Sequence, residues 1–574
     1  MSPQRVADVL VDTLVNAGVR RVYGVAGDSL NGITDSIRPR KDIEWVHVRH
    51  EEAAAFAAGA EAQLTGQLTA CAGSCGPGNL HLINGLFDAH RSRAPVLAIA
   101  AQIPSPEIGG GYFQETHPDQ LFRECSHFAE LISQPEQMPR ILEIAMRTAV
   151  AREGVAVVAI PGDVALRPAT QGATDFRLPD RPRIRPTDNQ LLRIVELLSA
   201  TGKVTIFAGA GCAGVHDQVV ALAQRLKAPI VHTLRGKQYV EYANPCDVGM
   251  TGLLGFASGY HALEAADVVL LLGTDFPYRQ FYPAGAKLIQ VDIRGEQIGR
   301  RSPVALGVVG DVGATVEALL PLVPEQSDGR HLTSAIADYG KSREGLDALA
   351  TEGTAGSLVH PQFVTKVLNE LATDDAIFAC DVGTPTVWAA RYISMNGKRR
   401  LVGSFTHATM ANALPQAVGA QLAFPGRQVI SMSGDGGLAM LLGELLTLHQ
   451  LDLPVKVVVF KNDSLGFVTL EMEAAGLLDF ATDLKNPDFA ALARSAGLLG
   501  LSVTSPEQVR PALTQALQHP GPALVEVAVS KQEVVLPPTI DLDLVRKFGL
   551  WVVKAVFNGR GDEVIDLAKT AFWR

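Results

Sequence analysis

The sequence predicts an α/β protein of three doubly wound parallel-sheet domains followed by a C-terminal amphipathic helical tail. Short apolar β-runs alternate with helical stretches from the N-terminus to about residue 530. Pro179, Pro182 and Pro186, mixed with Arg and Asp, mark a linker after the first block, and Pro537-Pro538 sets off the tail. The expected domains are 1–182, 183–335 and 336–530, with the tail at 531–574. A chain of 574 residues is too long for one core, which agrees with that division. Hydrophobic content of 47% and charged content of 19% describe a globular protein, and a net charge of −10 argues against a nucleic-acid partner. No apolar run approaches the roughly 18 residues that a membrane span needs. Met1-Ser2-Pro3-Gln4-Arg5 lacks a signal-peptide core, so residence in the cytoplasm is expected. Six scattered cysteines without a CxxC pair read as reduced, buried thiols.

In the first domain, Val22-Tyr23-Gly24-Val25 leads into Gly27-Asp28. Ile43 to Val48 leads into Arg49-His50-Glu51-Glu52 and an Ala-rich helix to Gln63. Thr69 to Ala72 precedes Gly73-Ser74-Cys75-Gly76-Pro77-Gly78-Asn79, and Pro95 to Ala100 follows as a further strand. The second domain carries Val204 to Phe207 before Gly209-Ala210-Gly211, then Val268 to Leu272 before Gly273, then Leu288 to Asp292. The third repeats the architecture of the first, a layout suggestive of duplication. Its run Val429 to Ser433 is closed by Gly434-Asp435-Gly436-Gly437, a helix is expected from Leu438 to Leu451, and Val455 to Phe460 delivers Asn462. Strand, helix, strand is a right-handed crossover, so Asp435 and Asn462 should emerge at the carboxyl edge of neighbouring parallel strands. A carboxylate beside an amide oxygen suits a hard cation such as Mg²⁺, which prefers a few protein oxygens plus substrate phosphates. In the tail, Val564, Ile565, Ala568, Ala571 and Phe572 fall on one face of a helix, with acidic and basic residues elsewhere.

The GDG motif with Asn462 27 positions after Asp435 resembles the thiamine diphosphate motif. With Arg49 to Gln63, Gly76 to Leu86 and Asp381 to Tyr392, the whole chain resembles the thiamine-diphosphate enzyme superfamily of acetolactate synthases, 2-oxo-acid decarboxylases and pyruvate oxidases. Within it, the nearest likeness is to the bacterial quinone-linked pyruvate dehydrogenases, also called pyruvate oxidases. The resemblance implies that the outer domains bind thiamine diphosphate and the middle one FAD.

It also assigns roles. Glu51 would hydrogen-bond N1′ of the aminopyrimidine, with Glu52 the neighbouring alternative. Asp435, Asn462 and the Ser464 carbonyl would hold Mg²⁺, with Gly436, Gly437, Asp463, Leu465, Gly466 and Val468 around the diphosphate. Relatives usually carry Asn where this chain has Lys461. Ala408-Thr409-Met410 would lie under the thiazolium, wedging the cofactor into its bent form. Phe113, Gln114, Phe467 and Glu471 would stand near pyruvate. Gly252-Leu253-Leu254-Gly255, Asp275-Phe276-Pro277-Tyr278-Arg279, Asp292 and Gly310-Asp311 would line FAD. Glu51 and the metal motif sit in different domains, so each active site is expected between subunits of a homotetramer. The tail is expected to bind membrane lipid, placing the protein peripherally on the inner face of the cell membrane with ubiquinone as electron acceptor. Acetolactate synthase and a phosphate-dependent pyruvate oxidase remain as alternatives.

Overall fold

The computed structural model describes residues 4–531, apart from Pro179, Arg181 and residues 354–357. The amphipathic helix expected at 564–572 lies outside the described residues. Three six-stranded parallel sheets are present. The first contains β1 (Arg21–Gly24), β2 (Glu44–His47), β3 (Thr69–Gly73), β4 (Val96–Gln102), β5 (Phe128–Leu131) and β6 (Val155–Pro161), in the order β2-β1-β3-β4-β6-β5. The second contains β7 (Val204–Ala208), β8 (Ile230–His232), β9 (Asp247–Met250), β10 (Val268–Leu272), β11 (Lys287–Asp292) and β12 (Leu306–Val309), in the order β12-β11-β10-β7-β8-β9. The third contains β13 (Ile377–Cys380), β14 (Arg400–Gly403), β15 (Val429–Gly434), β16 (Lys456–Lys461), β17 (Leu499–Val503) and β18 (Ala523–Ala528), in the order β14-β13-β15-β16-β18-β17.

Numbered from its own first strand, the third sheet has the same order as the first, 2-1-3-4-6-5. The duplication suggested by the sequence is therefore visible as topology. The middle sheet instead has the dinucleotide-binding order 3-2-1-4-5-6. Strands such as Val96–Gln102 and Val155–Pro161 are buried along their whole length, as parallel strands covered by helices on both faces must be. No helix among the described residues is long and apolar enough to cross a membrane.

The outer domains meet through equivalent helices. Glu51–Thr65 follows β2, Ala413–Ala423 follows β14, and the two pack face to face. Residues Ala53 to Ala60 are all buried. Small side chains let the backbones come into contact: a Cβ on Gly419 would lie 2.1 Å from the Ala57 carbonyl oxygen. One expectation needs correction. The helix expected from Leu438 to Leu451 starts at Asp435 and is two helices, Asp435–Met440 and Glu444–Gln450. The break turns Glu444 inward, where its carboxylate accepts from the Arg49 N–H at 3.0 Å and from Thr447 at 2.6 Å.

The crossing yields a stability test. Gly419→Ala forces the helices apart and should cost about 1–3 kcal/mol as overpacking. Gly426→Ala, with nothing within 4 Å of the new methyl, should stay within about 0.5 kcal/mol of the parent. Thermal unfolding of the two variants side by side checks this, and equal melting temperatures would contradict the packing argument.

Candidate active site and cofactor clefts

In both outer sheets the strand order reverses between the first and third strands, and ligands in open α/β sheets bind outside the carboxyl ends at such a point. In the third sheet these strands are β13, which runs into Asp381-Val382-Gly383, and β15, which runs into Asp435. The crossover expected from sequence is present: β15 pairs in parallel with β16, which delivers Asn462. Asp435 is 2% exposed. Its Oδ1 accepts from Gly436 N at 2.8 Å, and its Oδ2 accepts from Asp463 N at 2.7 Å and Asn486 Nδ2 at 2.9 Å. Hydrogen bonds to a charged group contribute roughly 1.5–3 kcal/mol each. Burial outweighs them, pushing the carboxyl up to about 6.

A divalent cation would restore the charged form. The donor set of a carboxylate, the Asn462 amide oxygen and the Ser464 carbonyl is the hard-oxygen set that Mg²⁺ takes. The glycines are needed for space: a Cβ on Gly437 would fall 1.8 Å from Asp381 Oδ2, and one on Gly436 would meet Leu465, Leu484 and Met410 within 3.4 Å. Asp381 is itself buried and held up at about 7 by that burial. Met410 is half-buried against this turn, so it is not an ordinary core methionine. Ala408, two residues earlier, has φ 64° and is exposed.

Residues 462–466 form a loop braced by the segment 482–486. Leu465 N donates to the Thr482 carbonyl at 2.8 Å and Leu484 N to the Asp463 carbonyl at 2.9 Å. Asn486 bonds both Asp435 and Asp463, each at 2.9 Å. Sequence reading missed Asn486, whose signal is a bare Asn-Pro turn. Lys461 turns to Glu526 on β18, at 3.0 Å. Phe467, Val468 and Glu471 lie on the helix Gly466–Ala474 that leaves this loop.

In the first domain, Glu51 opens its helix and is 7% exposed. Its Oε2 lies 2.9 Å from His81 Nδ1, a partner not foreseen. Its Oε1 faces Gly78, where a Cβ would lie 3.0 Å away. His81 stacks on His50 with ring centroids 4.3 Å apart. Glu52 is not the solvated charge its position suggests, since it accepts from Asn84 Nδ2 at 2.7 Å. Gln114, at φ 62°, accepts from the Cys75 thiol at 3.4 Å beside the same glycine turn, while Phe113 is 77% exposed.

The central sheet reverses between β7 and β10, and there the turns touch: a Cβ on Gly211 would lie 2.6 Å from the Gly273 Cα. Asp292, 1% exposed, ends β11 with Oδ1 accepting from Arg294 N at 2.9 Å. Its Oδ2 is buried and has no partner among the described residues, so an acceptor is free for a ribose hydroxyl. Asp275 lies 3.5 Å from Arg294 and 3.8 Å from Arg93 of the first domain. Arg235 and Arg294 are held below the usual guanidinium range, first by burial and then by Arg93. Three guanidiniums gathered with two carboxylates leave a net positive charge here, the sign a diphosphate requires, and sequence reading named none of the three.

The remaining flavin candidates are mixed. Gly252 has φ 101° beneath the buried Phe276 ring. The Leu254 and Gly255 carbonyls accept from Arg391 at 3.2 and 3.4 Å, and Leu253 is exposed. Pro277, Tyr278 and Arg279 are exposed; Arg279 donates to the Arg301 carbonyl at 3.0 Å. Asp311 caps the helix Val312–Leu319 by accepting from Ala314 N at 2.9 Å, which is reason enough for an Asp there. Burial, and after it the charge of Glu471, holds the Tyr278 phenol above its usual range.

Three family models match the chain in turn. Residues 4–121 match the thiamine pyrophosphate enzyme N-terminal TPP binding domain, 191–319 the central domain and 381–527 the C-terminal TPP binding domain. A putative thiamine pyrophosphate-containing protein, YdaP of Bacillus subtilis, is 35% identical over 572 residues, 99% of each chain. The pyruvate oxidase of Lactiplantibacillus plantarum is 31% identical over 92% of this chain and 89% of its own. The acetolactate synthase large subunit of Parasynechococcus marenigrum is 30% identical over 93% and 90%. The chain belongs to the thiamine pyrophosphate-dependent enzymes.

Proposed function

We propose that the protein oxidatively decarboxylates pyruvate to acetate and CO₂ and passes the electrons through FAD to ubiquinone at a membrane surface. The observation that supports the oxidase reading is the dinucleotide-binding strand order of the central sheet together with the buried, unpartnered Asp292 Oδ2 at the end of β11. When bound, thiamine diphosphate would supply the nucleophile for the 2-oxo acid and FAD would take up two electrons, with water providing the second acetate oxygen. The chain's own groups bind and orient. Asp435, Asn462 and the Ser464 carbonyl would hold the Mg²⁺ that anchors the diphosphate, and Met410, beside Gly436, would support the thiazolium ring. His81 holds Glu51 Oε2, so Oε1 is the atom that faces the aminopyrimidine nitrogen. Phe113, Gln114, Phe467 and Glu471 surround the 2-oxo acid, and Asp292 with Arg93, Arg235 and Arg294 receives the FAD ribose and diphosphate.

The working assembly is a homotetramer with each site shared between subunits. In support, Glu51 pairs with His81 of its own domain, and Asp435 with Asp463 and Asn486 of its own. Around them Leu80, Phe113, Met440, Leu446 and Phe480 are exposed on the single chain, an apolar set suited to burial against a second copy. The tail provides the lipid contact, peripheral and on the cytoplasmic face.

Acetolactate synthase is the second reading, since a relative of that name is 30% identical. Mixing enzyme with pyruvate under argon separates the two. The oxidase bleaches its flavin, whereas acetolactate formed over unreduced flavin would reject the proposal. Phosphate-dependent turnover would point to the third alternative, which makes acetyl phosphate.

Glu51→Gln should slow flavin reduction by pyruvate about 10²–10⁴-fold, the usual worth of a positioned acid–base group. Stopped-flow absorbance measures it, and a near-parental rate would remove Glu51 from its role. Asp435→Ala should weaken Mg²⁺-dependent thiamine diphosphate binding by more than the roughly 10–100-fold typical of an outer-shell loss. Chelation of the parent should release the cofactor; equilibrium dialysis reads both.

A further inference from the structure

We propose that Asn84 is a positioning residue for the cofactor-supporting loop of the third domain, acting by clamping that loop onto the first turn of the Glu51 helix. Asn84 lies on the helix Pro77–Arg91 of the first domain. Its Nδ2 donates to Glu52 Oε1 at 2.7 Å and to Thr409 Oγ1 at 2.8 Å, and its Oδ1 lies 2.9 Å from His407 Nε2. One amide thus joins three groups across two domains. Its orientation is fixed, because a flipped amide would set its oxygen against the Glu52 carboxylate.

The ring opposite fits. Burial, and then Arg91, holds His407 below the usual histidine range, so it is neutral. A neutral imidazole that donates from Nε2 leaves Nδ1 bare, and His407 Nδ1 is indeed buried without a partner among the described residues. Phe87, one residue-turn along the same helix, stacks on that ring at 5.5 Å and 15°. The loop needs such restraint because Ala408 and Ala411 both hold left-handed φ, at 64° and 68°. Within it, Ser404 receives Ala408 N at 2.7 Å and Thr409 N at 3.2 Å, and Thr409 donates to the Met410 carbonyl at 3.0 Å. The bond from Asn84 therefore acts one residue from Met410.

The inference rests on the proposed place of Met410 beneath the thiazolium. It is tested on full-length apoprotein with Mg²⁺ by tryptophan-fluorescence titration with thiamine diphosphate, alongside hydrogen exchange of residues 407–412. Asn84→Ala should weaken cofactor binding about tenfold or more, since it leaves buried polar partners unmet, and should speed exchange in the loop. Asn84→Asp should be worse, because it faces Glu52 with a second carboxylate. The double variant Asn84→Asp with Glu52→Gln restores donor to acceptor and should return binding to within about threefold of the parent. Binding by Asn84→Ala equal to the parent's, or a double variant no better than Asn84→Asp, would overturn the inference alone. A parent protein that does not bind thiamine diphosphate would overturn the proposed function and this inference with it.

Discussion

The close crossing of the Glu51–Thr65 and Ala413–Ala423 helices is the contact on which the rest of the molecule depends. Helices usually pack with axes 8–10 Å apart, a distance set by the side chains between them. Here the side chains are methyls or hydrogens, and Gly419 leaves no room between its own backbone and the Ala57 carbonyl. Alanine makes this possible twice over, because it is also the best helix former. Each methyl buries little area, so the gain comes from close backbone contact along the whole interface. The polar links then fix the register that methyls cannot: Gln416 donates to the buried Asp88 at 3.0 Å, and Asn84 reaches Thr409. The N-terminus of one helix carries Glu51, and the loop before the other carries Met410.

The repeated topology explains why two such different chemistries occupy matching places. Both outer sheets reverse between their first and third strands, and both put a glycine-rich turn after the third. In the first domain that turn is Gly73-Ser74-Cys75-Gly76-Pro77-Gly78, under Glu51; in the third it is Gly434-Asp435-Gly436-Gly437. One turn leaves space beside an acid, and the other carries the acid itself. The middle sheet, with a different order, closes its own switch point by packing Gly211 on Gly273, and its polar cleft lies at Asp275, Asp292 and the arginines around them.

What the sequence revealed followed from local physics. Runs such as Val268 to Leu272 and Val455 to Phe460 are strands because a parallel strand is buried on both faces and can be apolar throughout. Asp435 and Asn462 were legible because strand ends and glycine turns are sequence-local. The broken helix after Asp435 was not, because Leu438 to Leu451 is periodic and the break is decided by the inward turn of Glu444 toward Arg49, almost four hundred residues away in sequence. His81, Asn84, Asn486 and the three arginines of the central cleft escaped for the same reason. Each is an ordinary residue until a distant segment meets it. Asp311 shows the converse ambiguity, since an acid at a strand end can serve a ligand or cap the next helix.

Lys461, which stands beside a proposed metal ligand, raises the question of why a cation is tolerated there. Successive side chains of a strand point to opposite faces, so Lys461 and Asn462 diverge at the end of β16. Lys461 reaches Glu526 at 3.0 Å and the Pro487 carbonyl at 3.2 Å. Its charge is thus met by a neighbouring strand rather than directed at the cation site. Pro487 follows Asn486, whose amide holds Asp435 and Asp463 together. The lysine thus holds the backbone next to Asn486. Glu526, buried at its side chain, therefore balances the lysine's charge within the sheet.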